Sequence, residues 1–220
     1  MPQKNQLPLS LFPLRRALLS VTDKTGLEEL ATALTRIGCE LFATSSTAAA
    51  LRDYGLKVSS IEAMTGFPEI LGGRVKTLHP KVFGGILSRA GNESDEAELA
   101  AHGLQEFDLV VCNLYPFLEA AKQMYDELVD PQKRTSENLF QQQNALIEKM
   151  DIGGVTLLRA AAKNCARVSV LCDPADYVCF LQQISAHGNK TSLQQRSVFA
   201  LKAITETANY DASISSAMGS

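Results

Sequence analysis

The chain has 220 residues, of which 45% are hydrophobic and 20% charged, and its formal net charge is −3. That composition suits one substantial folded domain, and the weak negative charge argues against a general affinity for nucleic acid or an anionic membrane surface. No apolar run approaches the length of a membrane span.

Residues 1–14 carry Pro2, Pro8 and Pro13 and lack the long apolar centre of a signal peptide, so they read as a loosely held arm before a domain spanning 15–215. Cys39, Cys112, Cys165, Cys172 and Cys179 are odd in number and form no Cys-x-x-Cys pair. They are expected to be reduced, small hydrophobes of a cytoplasmic protein, not a disulfide frame or zinc site. His79, His102 and His187 show no ligand spacing, and no metal is expected.

Arg16 to Val21 reads as a buried strand that runs into Thr22-Asp23-Lys24-Thr25-Gly26 and then an amphipathic helix from Leu27 to Ile37. Thr25-x-x-Glu28 fits a capping box at its start. Leu41 to Ala43 forms a second strand, followed by the hydroxyl run Thr44 to Thr47, a helix from Ala48 to Tyr54, and a third strand over Lys57–Ser60. Strand, short polar turn and helix, repeated, is the rhythm of a parallel sheet with helices on its faces. Right-handed crossovers place both polar turns at the carboxyl ends of the strands, where helix amino termini favour an anion. Plain helix capping is the competing reading of either turn alone.

Gly72-Gly73-Arg74-Val75-Lys76-Thr77-Leu78-His79-Pro80 offers close backbone approach, a planar guanidinium and an ammonium two residues apart. Alone it reads first as a turn with two solvated cations; beside the two polar turns it points to phosphate. Val82 to Leu87 is expected as a strand with a close-packed glycine pair, and Asn92 to Ala101 as an exposed helix. Asp108 to Cys112 is the clearest strand, leading to Asn113-Leu114-Tyr115-Pro116-Phe117. Leu118 to Met150 reads as helix broken at Asp130-Pro131, with Gln132 to Gln143 an exposed excursion that carries no chemistry. Asp151-Ile152-Gly153-Gly154 opens another helix, to Asn164, with amides suited to an oxyanion. Arg167 to Leu171 is a strand, Asp173-Pro174 opens a helix to Ile184, and Thr191 to Asn209 forms a last helix.

These segments resemble the inosine monophosphate (IMP) cyclohydrolase domain of the bifunctional purine-synthesis enzymes that also carry an AICAR transformylase domain. The resemblance lies in Ser20 to Gly26, Leu71 to Pro80, Cys112 to Phe117, Asp151 to Asn164 and Thr207 to Asp211, in that order, and covers residues 15 to 215. It implies a methylglyoxal-synthase-like α/β fold, a doubly wound three-layer sandwich with a mainly parallel sheet, without a transformylase domain. It also implies closure of the 5-formamidoimidazole-4-carboxamide ribotide ring to IMP with loss of water, by a homodimer without cofactor. By resemblance, Ser20, Thr22, Lys24, Thr25, Ser46, Thr47, Arg74 and Thr77 hold the phosphate. Lys76, Tyr115, Asp151 and Lys163 surround the reacting groups, and Asn113, Ile152, Gly153 and Gly154 pocket the base.

Two departures from the family pattern stand out. Ser45-Ser46 replaces the usual Gly-Gly of the second turn, and serine resists the positive φ that glycine allows. The glutamine-rich tract is longer than the family's. An unbroken helix from Gly154 would carry Lys163 about 13 Å away along its axis, so that residue reaches the Asp151 pocket only through a bend or in a neighbouring subunit. The same fold also serves as a regulatory nucleotide-binding module in carbamoyl-phosphate synthetase and as methylglyoxal synthase. A regulatory module or a catalytically degenerate paralogue is therefore the alternative reading.

Overall fold

Ala17, Leu18 and Leu19 are all fully buried, as are Leu109, Val110 and Val111. Successive strand side chains point to opposite faces, so both faces of the sheet must be covered. The computed structural model, which describes residues 11–127 and 135–218, shows how. Five strands, β2 (Arg16–Ser20), β3 (Glu40–Ala43), β4 (Ser59–Ser60), β5 (Leu109–Cys112) and β6 (Ser169–Leu171), form a parallel sheet of order β4-β3-β2-β5-β6. The chain winds outward from β2 first to one side and then, beginning at β5, to the other. The gap between the two halves lies at the carboxyl ends of β2 and β5, where ligands bind in folds of this kind.

Helix α1 (Leu27–Arg36) packs on β3 and on α9 (Tyr177–Ala186), while α2 (Ser45–Asp53) follows β3 and packs on β3 and β4. The short α3 (Ile61–Thr65) leads to the cationic loop, α4 (Pro80–Leu87) and α5 (Glu93–Ala101). After β5 come α6 (Phe117–Glu127), α7 (Ser136–Ile147) and α8 (Ile152–Lys163); α8 packs on β5 and β6, flanked by α4 and α10 (Leu193–Met218). Ser20 pairs with Cys112 and Leu19 with Ala43, so β2, β3 and β5 end almost level and their following residues share one rim.

Several sequence expectations change. The amino-terminal arm is not loose at its inner end, because β1 (Phe12–Pro13) pairs with β7 (Lys190–Thr191) and Leu14 is buried; its residues 1–10 lie outside the described residues. The capping box does not form. Gly26, at φ 66°, occupies the cap position of α1, and the Thr25 hydroxyl instead donates to Asp23 at 2.7 Å. Helix α2 begins at Ser45 rather than Ala48, and the third strand shrinks to Ser59–Ser60.

The expected strand over Val82–Leu87 is a helix. Pro80 sits at its first turn, and the His79 ring nitrogen caps the Lys81 N–H at 3.1 Å. The apolar run fits either structure by length, and tertiary contact decides it. The glycine pair is close-packed, as expected: a side chain on Gly85 would collide with the Gln105 carbonyl. The break at Asp130-Pro131 lies outside the described residues. The last helix runs nine residues past Asn209, to Met218.

Candidate functional site

At the carboxyl rim of the sheet lies a cleft of about 660 Å³, lined by Ser20 at the end of β2 with Val21 and Thr22 after it, Thr44 and Ser46 after β3, and Asn113 after β5. Residues 71–74 and 76–78 of the cationic loop close one side, and residues 147, 148 and 150–154, from the end of α7 to the start of α8, close the other.

The floor is built from hydroxyls and a pinned turn. Thr44 Oγ1 lies 3.3 Å from Ser20 Oγ. Asn113 Oδ1 accepts from the Thr22 and Asp23 amides at 2.7 and 3.0 Å, and its Nδ2 donates to the Asp23 carbonyl at 2.8 Å. Asn113 lines the cleft while its amide also braces the turn after β2. One of the two expected hydroxyls of the second turn is exchanged for another three positions earlier. Thr47 is fully buried, its Oγ1 bonding the Val21 N–H at 3.0 Å, and does not reach the cleft; Thr44, not predicted, does. Thr44 adopts extended backbone and leaves the first-turn amides of α2 without a side-chain cap, so they remain disposed toward an anion. Neither Ser45 nor Ser46 has positive φ, so the anticipated conflict of serine with this turn does not arise. Lys24 and Thr25 lie away from the cleft lining.

The cationic loop is a tight hairpin closed by an Ile70–Val75 bridge. Leu71 carries φ 54°, a conformation costly for a side-chain-bearing residue, and it is 70% exposed at the mouth. Strain of this sort collects where a loop must present particular groups. Arg74 is met by Glu148, with Nε–Oε2 at 3.0 Å, and Lys76 by Glu69 at 3.3 Å; both cations are substantially exposed. Thr77 is buried against the start of α8: a Cβ on Gly153 would lie 3.2 Å from its hydroxyl.

Asp151 caps α8, its Oδ1 accepting from the Gly154 N–H at 2.7 Å, while its own N–H donates to the Tyr210 hydroxyl at 2.8 Å. Gly154 must be glycine, since a Cβ would collide with that carboxylate and with Leu114. Burial pushes the Asp151 carboxyl above its ordinary range, opposed by the Gly154 amide, the charge of Lys76 and the Gly153 amide. The expected bare oxyanion amides are therefore already turned on Asp151. Ile152 is 59% exposed and offers an apolar edge to the cleft.

Of the residues expected around the reaction, Lys76 and Asp151 meet in the cleft, while Tyr115 and Lys163 do not line it. Tyr115 packs with Phe117 and Met150 around α6, with Lys149 Nζ 5.7 Å from its ring centre. Lys163 is exposed at the far end of α8, which is unbroken from Ile152, and thus about 18 Å along the axis from Asp151. Sequence reasoning passed over Tyr210, Glu69 and Glu148. Tyr210 sits inside a recognised segment, whereas the two acids had only their nearness to the cations to mark them, and that nearness is tertiary for Glu148.

The MGS-like domain family matches residues 26–156, and the AICARFT/IMPCHase bienzyme family matches residues 161–220. The bifunctional purine biosynthesis protein PurH of Xanthomonas campestris pv. campestris (strain 8004) is 47% identical over 204 residues, covering 93% of this chain and 36% of that protein. PurH of Ruegeria sp. (strain TM1040) is 46% identical over 210 residues, covering 94% and 36%. The chain thus spans about a third of the length of these relatives. The crystal structure of ForH is 36% identical, with a TM-score of 0.73, covering 93% of this chain and 98% of that one. With the family matched over more than half its length and the parallel sheet that goes with it, the chain belongs to the MGS-like domain family.

Proposed function

We propose that this chain is an IMP cyclohydrolase, closing 5-formamidoimidazole-4-carboxamide ribotide to IMP. The observation that carries the reading is the convergence, in one cleft at the switch point of the sheet, of hydroxyl-lined turns, the Arg74/Lys76 loop and the Asp151 cap of α8. The purine-biosynthesis names of the relatives fit the same reading.

Ser20, Thr22, Thr44, Ser46 and Arg74 would take the 5′-phosphate, with the first-turn amides of α2. Ile152, Leu71 and Leu78 would flank the flat base. The reaction joins the carboxamide nitrogen to the formyl carbon, and the formyl oxygen takes up the electron pair. The carboxamide nitrogen gives up one proton on attack. The oxygen is then protonated and leaves as water, as the former formamido nitrogen gives up its proton and forms the ring C=N bond. Both arms belong to one molecule, so orientation can supply roughly 7–11 kcal/mol of the acceleration. Lys76, which lines the cleft, would meet the developing oxyanion, a contribution of about 3 kcal/mol when well aimed. Asp151, with its carboxyl raised by burial, suits proton removal from the carboxamide nitrogen. The reading includes a homodimer acting in the cytoplasm on a small ribotide, with residues 15–215 as the working unit. Within it, Tyr115 and Lys163 would contribute from a partner subunit or through the packing of α6 and α8.

The placement of Tyr115 and Lys163 outside the cleft also favours a second reading, a nucleotide-binding regulatory module that needs only the phosphate turns. Ultraviolet turnover of the formylated ribotide separates the two. The enzyme reading expects turnover that Lys76→Ala lowers about 10²–10³-fold. Binding of IMP without turnover supports the module, and near-normal turnover by Lys76→Ala removes that residue from the chemistry.

A further inference from the structure

Glu69 and Lys76 flank the Ile70–Val75 bridge and so stand opposite each other across the stem of the cationic hairpin. Lys76 Nζ lies 3.3 Å from Glu69 Oε1, and Glu69 Oε2 accepts from the Ser45 hydroxyl at 2.7 Å. That hydroxyl also lies 2.9 Å from Glu62 Oε1, so its single proton serves one of two carboxylates at a time. Gly73, at φ +90°, leaves the room for this arrangement: a side chain there would collide with Glu69 Oε1 and come within 2.7 Å of Lys76 Cε. The hairpin is thus folded around the ion pair.

A lysine ammonium rides on a flexible four-carbon stem, whereas stabilisation of a developing oxyanion needs a donor held within hydrogen-bond distance of a point fixed beforehand. Glu69 supplies the missing constraint. One of its oxygens holds the ammonium, the other is anchored to the first residue of α2, and the side chain is three-quarters covered. We propose that Glu69 is the positioning residue for Lys76, itself held by Ser45, so that the ammonium enters the cleft from a set direction. The inference rests on the ring-closing reading above. It also gives a use to the serine that stands where the resembled family has glycine, since glycine has no hydroxyl to anchor the acid.

Steady-state turnover of the formylated ribotide by the wild-type chain, Glu69→Gln, Glu69→Ala and Ser45→Gly tests it. The expected result is a kcat lowered about tenfold in Glu69→Ala, partly restored in Glu69→Gln, and lowered two- to threefold in Ser45→Gly, with KM changed by less than about twofold. Adding Glu69→Ala to Lys76→Ala should cost nothing further, because the acid then has nothing to position. A raised KM with intact kcat, or a further loss in the double variant, overturns the proposal. If the wild-type chain shows no turnover, the ring-closing reading is what fails. Mass-spectrometric footprinting with an acetylating N-hydroxysuccinimide ester then decides the positioning claim. Lys76 should be acetylated about threefold faster in Glu69→Ala, or in Glu69→Gln should the alanine variant not fold; equal rates reject it.

Discussion

Two arginines divide the work of this molecule. Arg167, only 1% exposed, sends its guanidinium to the carbonyls of Gly85, Ser88 and Phe107 at 2.7, 3.1 and 3.0 Å, and to Asp108 at 3.5 Å. Asp108 is equally buried and also accepts from the Arg15 and Arg16 amides at 2.8 and 3.2 Å. Arg74, 63% exposed, offers the same planar fork to one exposed acid, Glu148, presented by the end of α7. Backbone carbonyls cannot leave; a solvated glutamate can. The first arginine therefore ties α4 and the loop before β5 into one body, and the second holds a partner that can exchange. Burial lowers the affinity of Arg167 for its proton, yet neighbouring Glu106 and Asp108 oppose the loss, so the cluster stays charged and fixed.

Removing the buried member should break the comparison most visibly. Arg167→Leu leaves the carbonyls of Gly85, Ser88 and Phe107 buried without this donor, at about 1–3 kcal/mol each, while Asp108 keeps the Arg15 guanidinium and the Arg15 and Arg16 amides. A melting temperature roughly 10 °C lower is expected for a chain this size, and a drop under about 4 °C would show that the cluster is dispensable. Asp151→Asn comes next and acts on activity instead of stability. Asparagine still caps α8, so the fold should survive while turnover falls about 10²-fold. The folded-state carboxyl lies above its ordinary value of 3.8, so the stability tied to its protonation is full below that value and lost as pH rises through the raised one. Thermal melts should therefore find Asp151→Asn equal to or more stable than wild type near neutrality, with the difference vanishing in acid.

Glu148→Gln sharpens the other side. An exposed ion pair contributes roughly 0–1 kcal/mol, so the melting temperature should hardly move. With its competitor neutralised, Arg74 should bind IMP a few-fold more tightly by calorimetry, and weaker binding would mean that Glu148 assists the ligand. The smallest effect belongs to Thr25→Ala. Its hydroxyl serves exposed Asp23 and does not cap α1, so unfolding should shift by less than about 0.5 kcal/mol in urea titration. A loss of 1–2 kcal/mol would restore the capping role.

The sequence by itself determined the alternation of strand, polar turn and helix. Ala17 to Leu19 and Leu109 to Val111 are apolar without interruption because both faces of their strands are covered, and Gly26 and Gly38 mark turns that need positive φ. It also marked most of the short segments that line the cleft, through cations and hydroxyls grouped beside glycines. Only the tertiary structure decided which of those groups meet. Thr44 replaced Thr47 because α2 starts three residues earlier than expected, turning the later threonine into the core. Asn113 became a brace because β2 and β5 end side by side. Lys163 stayed remote because its helix runs unbroken from Ile152, and Val82 to Leu87 coiled because His79 and Pro80 start a helix whose glycines fit under Leu104 and Gln105. Local pattern sets an element and its residue types, but register, helix phase and the choice of partner depend on contacts between residues far apart in the chain.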